Sequence, residues 1–147
     1  MKRYPWRENA FLAAALCAMA IAAGLLSGCG AVGIGKDSGE KVRDLEFTVV
    51  GDQDVPQELQ DLINEKKAGA FKLTYTNDQG LYIVNGYGQQ QSGGYSIAVK
   101  ELYLTDNSIV FDTELLGPEK GEDVGNEPSC PYIVVQTEYL EEPVIFQ

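Results

Sequence analysis

Gly86-Tyr-Gly-Gln-Gln-Gln-Ser-Gly-Gly-Tyr-Ser-Ile-Ala-Val-Lys-Glu-Leu-Tyr-Leu104 is the stretch whose reading decides the fold. A glycine- and glutamine-rich loop, Gly88 to Gly94, feeds a segment in which Tyr95, Ile97 and Val99 alternate with Ser96, Ala98 and Lys100. That period of two is a strand with one buried face. Leu102 and Leu104 continue the apolar series out of phase, so a bulge at Lys100-Glu101 is predicted. The paired glycines Gly93 and Gly94 allow backbone conformations and close approaches that a Cβ forbids.

Outward from this stretch the pattern stays β. Toward the C-terminus, Asp106-Asn107 reads as a two-residue turn, followed by alternation at Ile109, Phe111, Thr113 and Leu115. Tyr132 to Val135 is apolar on both faces, as a central strand is, and Val144 to Phe146 reads as a closing edge strand. Toward the N-terminus, Phe71 to Tyr75 and Leu81 to Val84 flank a turn at Asn77-Asp78-Gln79-Gly80. Leu45 to Val50 is a first strand with Leu45, Phe47 and Val49 on one face. Asp52 to Gly69 is the one helix expected in the domain. Asp54 caps it, Pro56 lies in its first turn, Val55, Leu59, Leu62 and Ile63 form its apolar stripe, and Gly69 stops it. The fold class is mainly β: an antiparallel sandwich or half-barrel with one packed helix. With up-and-down hairpins, the Gly88–Gly94 loop and the long polar loop from Gly117 to Pro131 fall at the same end of the sheet.

Lys2, Arg3 and Arg7 precede an uncharged apolar run from Ala10 to Leu26, the layout of a secretory signal; an uncleaved membrane anchor is the competing reading. Leu26-Ser27-Gly28-Cys29 resembles the lipobox of bacterial lipoproteins. The resemblance implies cleavage before Cys29, diacylglycerol and palmitate on that residue, and an extracytoplasmic protein anchored by lipid to the bacterial cell membrane. The organisation expected is therefore a leader over 1–28, a glycine-rich tether over 29–43 and a single domain over 44–147. A net charge of −11 disfavours nucleic acid and anionic lipid as partners. Cys17 leaves with the leader and Cys29 carries lipid, so Cys130 has no partner for a disulfide and reads as a small buried apolar residue.

Histidine is absent, which excludes Ser-His-Asp and Cys-His nucleophile sites and His-ligated zinc. Asp112 with Glu114 and Glu122 with Asp123 read as a solvated strand face and an acidic loop. The Glu119–Glu127 loop lacks the ligand register of an EF-hand, and Gly86-Tyr87-Gly88 lacks the third glycine and following helix of a dinucleotide site. No catalytic residue, metal site or cofactor beyond the lipid is expected, and the chain is read as non-enzymatic.

Gln90-Gln91-Ser92-Gly93-Gly94-Tyr95-Ser96-Ile97, with Val99, the Asp106-Asn107 turn and Pro131-Tyr132-Ile133-Val134-Val135, resembles the C-terminal domain of the PrcB family. These are bacterial lipoproteins named as protease-complex subunits. Their pattern has Pro-Thr-Gly-Gly-Tyr where this chain has Gln-Ser-Gly-Gly-Tyr, and the likeness runs over about 80–146. It implies a non-catalytic accessory to an exported protease or another envelope protein. Ser92-Gly93-Gly94-Tyr95 is also similar to the Thr-Thr-Gly-Tyr loop of chagasin-type protease inhibitors, although their Arg-Pro-Trp loop has no counterpart here. The partner-binding surface is expected to comprise Gln90, Gln91, Ser92, Gly93, Gly94, Tyr95, Glu122, Asp123, Pro131 and Tyr132. Bulky residues at Gly93 and Gly94 are expected to abolish partner capture and leave stability largely intact. A small-molecule or cation-binding lipoprotein, or a chagasin-like protease inhibitor, is the alternative function.

Overall fold

The computed structural model describes residues 39–147. The leader, Cys29 and most of the expected tether lie outside the described residues. The elements are β1 (Lys41–Asp44), β2 (Phe47–Val49), α1 (Gln57–Lys66), β3 (Ala70–Asn77), β4 (Gly80–Tyr87), β5 (Ser96–Thr105), β6 (Ile109–Leu116), β7 (Tyr132–Thr137) and β8 (Val144–Phe146). They make two separate four-stranded sheets, in the orders β1-β5-β6-β8 and β2-β7-β4-β3. All strand pairs are antiparallel except β6 with β8, which is parallel. The architecture is a sandwich with a helix on the outside of the second sheet.

Two cores account for the three layers. Leu81 and Ile83 of β4 and Ile133 and Val135 of β7 meet Leu102, Ile109 and Phe111 between the sheets. The alternate residues Tyr82, Val84 and Val134 meet Val55, Leu59 and Ile63 under α1. Strands β4 and β7 are therefore covered on both sides, which is why their apolar runs do not alternate. Leu59 and Ile63, four residues apart, are fully buried, as neighbours on one helical face must be.

The phase slip in the central strand is a bulge. The register of β5 on β6 shifts between Val99 and Glu101, and Ile97, Val99, Leu102 and Leu104 all pack on the inter-sheet core. Tyr95 lies just ahead of the strand, with its ring against Gly117.

Three local expectations are corrected. The helix begins at Gln57, not near Asp54, because Pro56 is extended (ψ 140°) and Asp54 closes a turn onto Gly51 at 2.9 Å; no side chain caps the helix. Lys41 to Arg43, expected at the end of the tether, pair with β5 as β1. Ion pairs Lys41–Asp44 (2.6 Å) and Arg43–Glu138 (2.7 Å) accompany that ladder, and apolar periodicity cannot reveal a strand built this way. Leu45, Phe47 and Val49 do not share a buried face. The chain changes sheets at Leu45, which is 4% exposed, whereas Phe47 and Val49 sit on a three-residue edge strand at 39% and 57%.

Candidate functional site

The two irregular loops meet, and the topology explains why. Hairpin β3–β4 brings the chain back to Tyr87, hairpin β5–β6 brings it back to Leu116, and both returns finish at one end of the sandwich. Residues 88–95 cross from β4 to β5 and residues 117–131 cross back from β6 to β7. Each loop is thus a sheet-to-sheet crossover at the same rim.

A buried polar chain ties the sheets together beneath that rim. The Asn85 side-chain amide of β4 donates to Thr113 Oγ1 of β6 at 2.8 Å, and the same oxygen lies 2.6 Å from the Tyr87 hydroxyl. Asn85 and Thr113 are both buried, and the one Thr113 hydroxyl serves Asn85 and Tyr87 together. Thr113→Val keeps the volume but strands the Asn85 amide and weakens the tie to Tyr87. Urea denaturation is expected to register a loss of about 1–3 kcal/mol.

Above this link the loops are latched. Gln90 and Ser129 exchange two backbone hydrogen bonds of 2.7 and 3.2 Å, and Ser129 Oγ donates to the Ser92 carbonyl at 2.6 Å. The Gln90 side-chain amide folds back on the Tyr87 and Gly88 carbonyls. Gly88 and Gly94 have positive φ (76° and 81°), the left-handed region that favours glycine. A Cβ on Gly94 would collide with the Val124 side chain and lie 3.0 Å from Pro118; on Gly93 it would lie 3.2 Å from the Val124 carbonyl. The paired glycines form a notch that receives Val124. This departs from the expectation that they are dispensable for stability: their close approach holds the 117–131 flap down.

The surface left outward is acidic. Between Gly117 and Pro131 the charged residues are Glu119, Lys120, Glu122, Asp123 and Glu127, four carboxylates against one ammonium. All five are exposed, as is Gln91. Glu122 Oε2 accepts from the Glu119 N–H at 3.1 Å, and Gly121 (φ 87°) gives the flap tip its turn. Leu116, 43% exposed, adds an apolar patch beside the half-buried Tyr95.

The structure thus brings Gln90, Gln91, Ser92, Gly93, Gly94 and Tyr95 to the flap that carries Glu122 and Asp123. It does not bring Tyr132 to that surface. Tyr132 packs with the core under α1 and donates to Asp52 Oδ1 at 2.7 Å. Burial pushes its hydroxyl pKa up, opposed by the Gln60 side chain and reinforced by the Asp52 carboxylate. Pro131 sits at the flap's root, where its carbonyl accepts from the Tyr87 N–H at 3.1 Å. Their physical work is anchorage. Cys130, beside them, is half-buried and free. Val124, Pro118 and Ser129 complete the rim, and of the three only Val124, a lone apolar residue in an acidic loop, stands out in the sequence. Among the described residues no cluster of three His, Cys, Asp or Glu side chains is placed to hold a metal ion.

With this geometry in view, the family comparison falls on the same segment. The family model described as PrcB C-terminal matches residues 81–138, from the start of β4 to just past the end of β7. The resemblance carried by the Gly-Gly-Tyr loop and the Pro131-Tyr132 strand is borne out over that stretch, which contains both rim loops whole. No curated protein and no solved structure matches the chain.

Proposed function

We propose that the chain is a non-catalytic protein-binding module associated with a protease complex, held outside the cytoplasm by lipid on Cys29. The observation that carries this reading is the coincidence of the PrcB C-terminal match with one continuous surface, loop 88–95 latched to flap 117–131. Such a surface suits a protein partner: it is broad, it rests on rigid strands, and it mixes exposed carboxylates with apolar Leu116. Its charge selects a basic patch on the partner and speeds encounter at low salt. Lipidation at Cys29 and localisation at the membrane rest on the lipobox resemblance.

The double substitution Glu122→Lys with Asp123→Lys tests this reading. Both side chains are exposed, neither carboxylate takes part in an ion pair among the described residues, and the one hydrogen bond lost, from the Glu119 N–H to Glu122, lies at the surface, so the melting temperature is expected to fall only slightly. Co-purification of an exported protease after crosslinking in intact cells is expected to fall about tenfold or more, with the wild-type interaction weakening as salt rises. Undiminished co-purification would remove the acidic flap from the binding surface.

A further inference from the structure

Among the described residues four strands form sheet edges, and three of them are poor templates for further pairing. β1 has four residues and a register shift, and β2 and β8 have three residues each. β3 differs: eight residues long, outermost in its sheet, and paired with β4 without a break from Ala70 to Asn77. It contains no proline and one charge, Lys72. Natural edges are usually blunted by shortness, bulges, proline or several charges, and β3 has little of this.

The hairpin turn decides which backbone groups of β3 are free. With Asp78-Gln79 as a two-residue loop, Asn77 and Gly80 form the closing hydrogen-bonded pair, and every second pair, Tyr75–Tyr82 and Leu73–Val84, repeats it. The N–H and C=O groups of Lys72, Thr74 and Thr76 therefore point away from the sheet. Their side chains are exposed, while Leu73 and Tyr75 between them are half-buried on the helix face.

We propose that β3 pairs antiparallel with β3 of a second copy of this chain, about a two-fold axis at Thr74, joining two four-stranded sheets into one of eight. The strand is self-complementary in this register. Thr74 meets Thr74 of the partner, and Lys72 meets Thr76, so every outward backbone group acquires a counterpart. On the other face Leu73 falls opposite Tyr75 and extends the apolar layer under α1 across the axis. The one cation of the strand, Lys72, faces the neutral Thr76 of the partner and lies on the side of the partner's Asp78, the first residue of its turn, and no like charges are opposed. That charge match, with the fit of the strand to its own reverse, is what selects a second copy over a foreign strand.

Amide hydrogen exchange read alongside sedimentation tests the pairing over about a hundredfold range of protein concentration. The amides of Lys72, Thr74 and Thr76 are expected to slow at least about tenfold as the mass doubles, while those of Leu73 and Tyr75, bonded to β4, are protected throughout. Thr74→Pro deletes an outward N–H and leaves the β4 ladder in place, so it is expected to abolish the dimer. Thr74→Lys opposes two ammonium groups across the axis at an exposed site and is expected to weaken it about tenfold or more. Three outcomes overturn the proposal: concentration-independent exchange at a monomer mass, a dimer undiminished in both variants, or protection that appears only when a different protein is added.

Discussion

Replacing Gly94 with valine is expected to lift the 117–131 flap from the rim. The residue sits at φ 81°, which costs a side-chain-bearing residue about 1–2 kcal/mol, and valine, branched at Cβ, tolerates that region worst. Space adds a second penalty, because Val124 and Pro118 occupy the volume a side chain would take. Denaturation is expected to show a loss of about 2–3 kcal/mol, and partner co-purification a drop of about tenfold or more. The two causes separate experimentally. Val124→Ala beside Gly94→Ala relieves the collision and leaves the φ penalty, so only part of the loss returns. Gly93→Ala, where φ is not positive and the nearest atom is the Val124 carbonyl at 3.2 Å, is expected to cost much less.

Phe111→Ala has the largest expected effect on folding. The ring is fully buried between the sheets and meets Phe146 edge-on at 5.9 Å between centroids. Phe146 belongs to β8, whose parallel pairing on β6 includes Phe111 itself, so truncation opens a cavity and removes the support of an edge strand. Core phenylalanine truncations cost about 3–5 kcal/mol. For a domain of this size that corresponds to a fall in melting temperature on the order of 15 °C, measurable by calorimetry. Binding measured well below the transition is expected to survive, since the core cluster that holds both rings includes no residue of the rim loops.

Much of the sandwich was legible in the chain because its strands announce themselves by period. The turn at Asn77–Gly80, the phase slip at Lys100-Glu101 and the apolar runs at Leu81–Val84 and Tyr132–Val135 each map onto an observed hairpin, bulge or doubly covered strand. The shared rim also followed from counting reversals. What escaped has one physical cause: local pattern does not report what covers a side chain. Phe47 and Val49 read as core, yet they lie on an edge with no strand beyond them among the described residues. Lys41 to Arg43 reads as tether, yet backbone pairing to β5 orders it. Tyr132 is placed on the partner-binding surface together with Pro131, in line with the Pro131-Tyr132 resemblance. The pleat, together with its pairing to Gly86, turns it toward α1. The glycine pair reads as special for its backbone, but its occupant, Val124, lies about thirty residues along the chain and is visible only in three dimensions.

The central claim is that loop 88–95 and flap 117–131 act as one contact surface. Site-specific photocrosslinking in intact cells tests it most directly, with the probe placed in turn at Gln91, at Asp123 and at Asp78, an exposed residue of the opposite turn. One and the same crosslinked partner is expected from Gln91 and Asp123, and none of it from Asp78. Different partners from the two loops, or a common partner captured equally well from Asp78, would contradict it.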